Sequence, residues 1–149
     1  MTNEAKLIKN VKTELKNLDK AVVKLQESYQ HCKAIGVYDD DVVADALSIR
    51  FARASDIFTQ KILTSVVILS LEDFDGFIDK VNICEKLNAI ISAEDVFGIR
   101  RIRNKVNHEY AGQEIIKIFN DTLKYTPKLL ANIEQTNSYI NQNYKNKDD

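Results

Sequence analysis

The sequence predicts an all-α fold, a four- to five-helix up-and-down bundle in a single domain over 1–149. Three observations carry this. Four glycines and one proline in 149 residues are too little punctuation for many short strands and turns. Apolar residues return at steps of three and four across long windows, the period of a helix with one buried face. The β-branched run from Ile62 to Leu69 could pass for a strand, but no second candidate exists to pair with it. A strand alone would leave its backbone groups unsatisfied, so the run reads as helix.

The first helix is predicted from Leu7, Val11, Leu15, Leu18, Val22, Leu25 and Tyr29, a single stripe that fades at Lys33-Ala34-Ile35, with Gly36 as terminator. Asp39, Asp40 and Asp41 suit a helix N-terminus by capping and by the helix dipole. They open a second helix that runs to about Leu69 through Val43, Leu47, Phe51, Ala54, Phe58 and Ile62. Glu72 to Gly76 is a turn. A shorter helix follows from about Phe77 to Asn88, with Ile78, Val81, Ile83 and Leu87 as its apolar positions. Ser92 and Asp95 have the spacing of a capping box, with Ser92 as N-cap. The helix they open carries Val96, Ile99, Ile102 and Val106 inward and ends near His108. After Gly112, a last helix runs from about Gln113 to Tyr144, with a bend expected at Pro127, and the tail 145–149 is expected to be disordered.

Composition narrows the function classes. The chain is 44% hydrophobic and 29% charged, as expected of an ordinary globular protein. With 21 basic against 22 acidic residues, the formal net charge is -1, so any attraction to nucleic acid must come from a local patch. Met1 to Lys6 lacks the apolar core of a signal peptide, and Ile62 to Leu71 is too short to span a bilayer. Cys32 and Cys84 stand alone, without metal-ligand or redox spacing. They are expected to be buried thiols in a reducing compartment, which makes a cytoplasmic location the default expectation. No ligand spacing for a metal and no cofactor motif is found.

The most informative stretch is Arg103-Asn104-Lys105-Val106-Asn107-His108-Glu109-Tyr110. It places a guanidinium, an amide, an imidazole and a phenol within about two helical turns. A neutral imidazole can take a proton near pH 7. Arg103 can hold two non-bridging phosphate oxygens at once and stabilise the extra charge of a phosphorane. Asn104 can orient the imidazole or donate to the phosphate. Those roles fit cleavage of a phosphodiester by the neighbouring RNA 2'-hydroxyl. On an ideal helix Asn104 and His108 share a face, whereas Arg103 lies about 140° from His108. Their meeting therefore depends on arginine's reach, on a loosened helix end, or on an opposite subunit. A histidine at a helix C-terminus also has a plainer role, complementing the dipole. The combination of all four groups at these offsets favours a site.

Arg103-Asn104-x3-His108-x-Tyr110 on the penultimate long helix of an all-helical domain resembles the HEPN superfamily. In particular it resembles HepT-like toxins of HEPN/MNT toxin–antitoxin pairs, which carry the Arg-x4-His-x-Tyr form of the motif. The resemblance implies a metal-independent endoribonuclease, working as a homodimer with two motifs facing one cleft. It implies that Arg103 and His108 are the catalytic pair, with Asn104 supporting them. It also implies that Tyr110 is the tyrosine to which a cognate minimal nucleotidyltransferase (MNT) antitoxin transfers AMP. An independent argument favours the dimer. Cleavage of this type uses one group to take a proton and another to give one. The other histidine, His31, lies near the end of the first helix, so two copies of His108 across a two-fold axis would fill both roles.

Other cations are weaker candidates. Arg100, Arg101 and Lys105 can guide an RNA backbone or simply coat the helix. Arg50 and Arg53 interrupt an apolar stretch, with Asp56 three residues beyond Arg53. They read either as auxiliary phosphate contacts or interface ion pairs near the cleft, or as an intrahelical Arg53–Asp56 pair on an exposed edge. Tyr29, Tyr125, Tyr139 and Tyr144 read as core or flanking aromatics, not base-stacking platforms. The competing function is a non-catalytic nucleotide-binding or adaptor subunit that partners a nucleotidyltransferase. Such an adaptor needs the arginine but not a histidine at this offset.

Overall fold

Each predicted helix forms, and no strand occurs among the described residues of the computed structural model, which are 2–35, 41–107 and 113–145. In α1 (Asn3–Ile35) the hydroxyl of Thr2 caps the first turn, accepting from Ala5 N–H at 3.0 Å. Val11, Leu15, Leu18, Leu25 and Cys32 are buried along one face, with Val22 and Tyr29 flanking them.

The second predicted helix is one continuous rod with a change of backbone inside it. α2 (Asp41–Asp56) passes through a π-helical segment (Ile57–Ile62) into α3 (Leu63–Leu69). The Leu63 N–H reaches back five residues to the Phe58 carbonyl, the hydrogen bond of a π turn. Early in α2 single positions face inward, at Leu47 and Phe51, and Ala54 with Ser55 forms the first adjacent buried pair. The pairs continue through the π-helical segment and beyond it, Phe58 with Thr59, Ile62 with Leu63 and Val66 with Val67. The rod ends in a Schellman motif: Leu71 N–H bonds Ile68 O at 3.0 Å and Glu72 N–H bonds Val67 O at 3.3 Å. Leu71 takes the left-handed position there, with φ 59, although glycine is the residue best suited to it.

α4 (Gly76–Lys86) is slightly shorter than predicted; Val81 is buried and Ile83 and Leu87 pack against the core as expected. Ile78, expected inside, is 66% exposed, and the buried positions are Lys80, Val81 and Cys84. The amine of Lys80 has partners that make its burial tolerable. Its Nζ donates to Thr64 Oγ1 at 3.1 Å and lies 5.5 Å from the Phe77 ring centroid.

α5 (Ala93–Val106) starts where predicted, with the Ser92 hydroxyl accepting from Asp95 N–H at 3.1 Å. The other half of a capping box is supplied from elsewhere. Asn132 Oδ1 accepts from Ile91 N–H at 2.9 Å and Ser92 N–H at 3.2 Å. α6 (Gln113–Asn143) continues through Pro127, whose ring sits on the exposed side. Its inner face mixes Phe119, Leu129, Ile133 and Ile140 with buried Thr122, Thr126, Asn132 and Thr136. The threonine hydroxyls are satisfied by backbone carbonyls, as where Thr126 donates to Thr122 O at 2.7 Å.

Two of the helix pairs that contact each other run antiparallel. Cys32 meets Val43 and Ser28 meets Arg50, so α1 and α2 cross in opposite senses. Ser92 meets Asn132, Asp95 meets Lys128, and Gly98 meets Tyr125, which sets α5 against α6 in the same way. α2 also packs on α5, and that contact positions the candidate site.

Candidate functional site

The last turns of α5 are built from a simple phase argument. Ile99 and Ile102 are buried and Val106 is packed against the core, so the residues between them point sideways or outward. Arg101, Asn104 and Lys105 are exposed, whereas Arg100 and Arg103 are half-buried on the flanks. α5 stays helical to Val106, with Asn107 as its C-cap, so Arg103 is anchored within a regular turn.

Arg103 turns toward α2 and meets Asp56 side-on. Its Nε donates to Oδ1 at 2.5 Å and its Nη2 to Oδ2 at 2.7 Å, a fork-to-fork pair with both partners partly shielded from solvent. The hydrogen bonds to Asp56 raise the guanidinium pKa further. Desolvation pulls it the other way, and the charge of the same carboxylate adds to the rise. The predicted intrahelical pair of Asp56 with Arg53 is therefore replaced by a contact between helices. Arg53 is exposed and makes no ion pair among the described residues. The bidentate geometry to Arg103 explains the preference: two short, parallel charge-assisted bonds outcompete a mobile exposed pair.

The other cations separate into two groups. Arg50 is held by α1, where Nη1 donates to Ser28 Oγ at 2.7 Å and Lys24 O at 3.3 Å. Arg100 stacks on Phe77, its guanidinium carbon 4.4 Å from the ring centroid. Both are thus engaged in joining helices. Arg53, Arg101 and Lys105 remain as exposed charges. Asn104 is exposed four residues before His108. His108 and Tyr110 lie outside the described residues, so the site's described part is Arg103, Asn104, Lys105 and Asp56.

Two polar features were not legible as functional residues. Asp56 was singled out in the sequence, but as a local partner of Arg53. Its true partner is 47 residues away, and only the α2–α5 contact reveals it. Lys80 looked like an ordinary surface lysine. Burial lowers its pKa, with Cys84 opposing that shift and Arg100 adding to it. The tyrosines follow expectation. Tyr125 packs on Gly98, and Tyr139 and Tyr144 meet edge-on with ring centroids 6.2 Å apart.

At the end of α5 the arrangement offers a fixed cation beside an exposed amide, flanked by Arg101 and Lys105. The negative end of the helix dipole lies there too, which opposes an anion, so the cations must more than offset it for phosphate to bind. No helix among the described residues is long and apolar enough to cross a membrane. Compared with known protein families, with curated proteins and with solved structures, the chain gives no match.

Proposed function

We propose that this chain is a metal-independent endoribonuclease of the HEPN kind, a homodimeric toxin held in check by a minimal nucleotidyltransferase that transfers AMP to Tyr110. One observation carries the reading: the sequence holds Arg103-Asn104-x3-His108-x-Tyr110, and Arg103 and Asn104 of that run lie in the last turn of α5 in an all-helical bundle, with Arg103 held on the flank of that helix and out of the core. In this mechanism His108 of one protomer removes the 2'-hydroxyl proton. The oxygen attacks the adjacent phosphorus, and Arg103 stabilises the phosphorane. His108 of the second protomer protonates the departing 5'-oxygen. The products are a 2',3'-cyclic phosphate and a 5'-hydroxyl end.

The test is cleavage of total RNA in the presence of EDTA, comparing wild type with Arg103→Ala and His108→Ala. Cleavage by wild type is expected to persist with chelator. Each substitution is expected to lower it by about a hundredfold or more. Activity that needs the metal, or that survives both substitutions, rejects the mechanism.

A second reading draws on the Asp56–Arg103 pair. An arginine whose charge is already matched by a carboxylate also suits a non-catalytic adaptor subunit of a nucleotidyltransferase. Such an adaptor cleaves no RNA, and the same assay separates the two.

A further inference from the structure

A guanidinium has five N–H groups arranged around a plane, and it can present two different edges. Asp56 occupies only one of them, the side edge formed by Nε and Nη2. The end edge, formed by one hydrogen of Nη1 and the second hydrogen of Nη2, has no acceptor among the described residues. That end edge has two parallel donors at the spacing of two non-bridging phosphate oxygens. We propose that Asp56 is a positioning residue. It grips the side edge of Arg103 so that the end edge is presented, already oriented, to a phosphodiester.

The inference rests on the ribonuclease reading and deepens it. Two physical consequences follow from the pair. First, the loss of rotamer freedom that an arginine suffers on binding has already been taken up in folding, so the bound phosphate meets a fixed partner. Second, a carboxylate beside the guanidinium reduces the net positive charge that the phosphate feels. Asp56 therefore weakens ground-state attraction while improving orientation in the transition state. A residue that merely holds α2 to α5 would produce no such division. Asp56 itself is anchored one residue before the π-helical segment, where the backbone is fixed by buried Phe58 and Thr59.

The experiment is steady-state cleavage of a short single-stranded RNA by wild type, Asp56→Asn and Asp56→Glu, with thermal melting of each. Asn keeps the size of the side chain and removes one charged acceptor, while Glu keeps the carboxylate. For Asp56→Asn we expect kcat to fall about tenfold to a hundredfold, as misorientation does, with KM unchanged or lowered. Asp56→Glu should recover part of kcat. Unchanged kcat in Asp56→Asn, or a loss confined to a higher KM, overturns the proposal. If Asp56→Asn fails to fold, a second measurement on wild type decides. The side-chain 15N signals of Arg103, assigned with Arg103→Lys, are followed as a 2'-O-methylated RNA of the same sequence is added. The expected result is movement of the Nη signals while the Nε–H bonded to Asp56 stays in place. Release of Nε–H from Asp56, or no response at all, overturns the proposal. A wild type that cleaves nothing but shows the Nη response rejects the ribonuclease reading and keeps the positioning role.

Discussion

Gly98 of α5 and Tyr125 of α6 touch so closely that no β-carbon fits between them. A Cβ at position 98 would stand 2.4 Å from Cε1 of the tyrosine ring and 2.8 Å from its hydroxyl. The ring is also covered by Lys128, whose Nζ lies 4.8 Å from its centroid, and Lys128 pairs with Asp95 at 3.7 Å. Displacing the ring thus disturbs several contacts between the two helices. Gly98→Ala is expected to destabilise by about 1 kcal/mol or more, because the clash exceeds the helix-propensity gain of alanine. In a Tyr125→Ala background the same substitution should become stabilising. Denaturant unfolding of the four proteins checks this; a stabilising Gly98→Ala in the wild-type background would show that the ring moves freely.

At Leu71 the opposite replacement should help. The residue has φ 59 and is 95% exposed, so its side chain contributes little packing while its backbone bears a left-handed conformation. Leu71→Gly is expected to stabilise by about 1 kcal/mol, and the Schellman hydrogen bonds from residues 71 and 72 would be retained. A lower melting temperature for Leu71→Gly would mean that leucine makes contacts in the unfolded or folded chain that outweigh the strain.

Cys84 gives the protein a sensitivity to alkali. Burial pushes its thiol up from 9.0 to about 12, against a smaller opposing pull from Lys80. Above pH 9.0 the unfolded chain releases this proton while the folded chain keeps it. Its contribution is therefore fully present below pH 9.0 and lost as pH rises toward about 12. Denaturant unfolding from pH 8 to pH 11 should show a steeper fall for wild type than for Cys84→Ala, by at most about 1.4 kcal/mol per pH unit. Lys80, whose folded pKa is lowered, acts in the opposite sense and is present in both proteins. Parallel slopes would rule out burial of Cys84 as the cause.

The proposed control by AMP transfer has its own check. Incubation with the partner nucleotidyltransferase and ATP should add the mass of AMP to wild type and nothing to Tyr110→Phe. Equal mass gain in both proteins would place the modified group elsewhere.

What was legible in the sequence was local. The α1 stripe and the Ser92 cap rest on residues within four positions of one another, and a helix has no choice about where those go. In α4 the inward places of Val81, Ile83 and Leu87 were legible, but that of Lys80 was not, because hydrophobicity alone ranked Ile78 above it. The amine's compensation comes from Thr64, 16 residues back in the chain, and from the Phe77 ring. At the site, the run ending in Tyr110 was readable as chemistry, but the partner of Arg103 was not. The nearby Arg53 is the obvious mate for Asp56 on a helix, and only tertiary packing brings Arg103 into competition.

The π-helical turn has a consequence for how the chain tolerates change. It is the backbone an ordinary helix adopts when it absorbs one surplus residue without shifting its neighbours. Removing a single residue between Ile57 and Ile62 should let the rod close into a plain α-helix, keeping Phe58-like and Val66-like positions in the core on either side. If the same residues were instead wound as α-helix throughout, the two halves would rotate against each other by about 100°. Either the lower half keeps its packing and the carboxylate at 56 swings off the arginine, or the pair persists and the upper half unpacks. The wide turn thus reconciles two demands, letting one rod satisfy the core and aim a carboxylate at the same time.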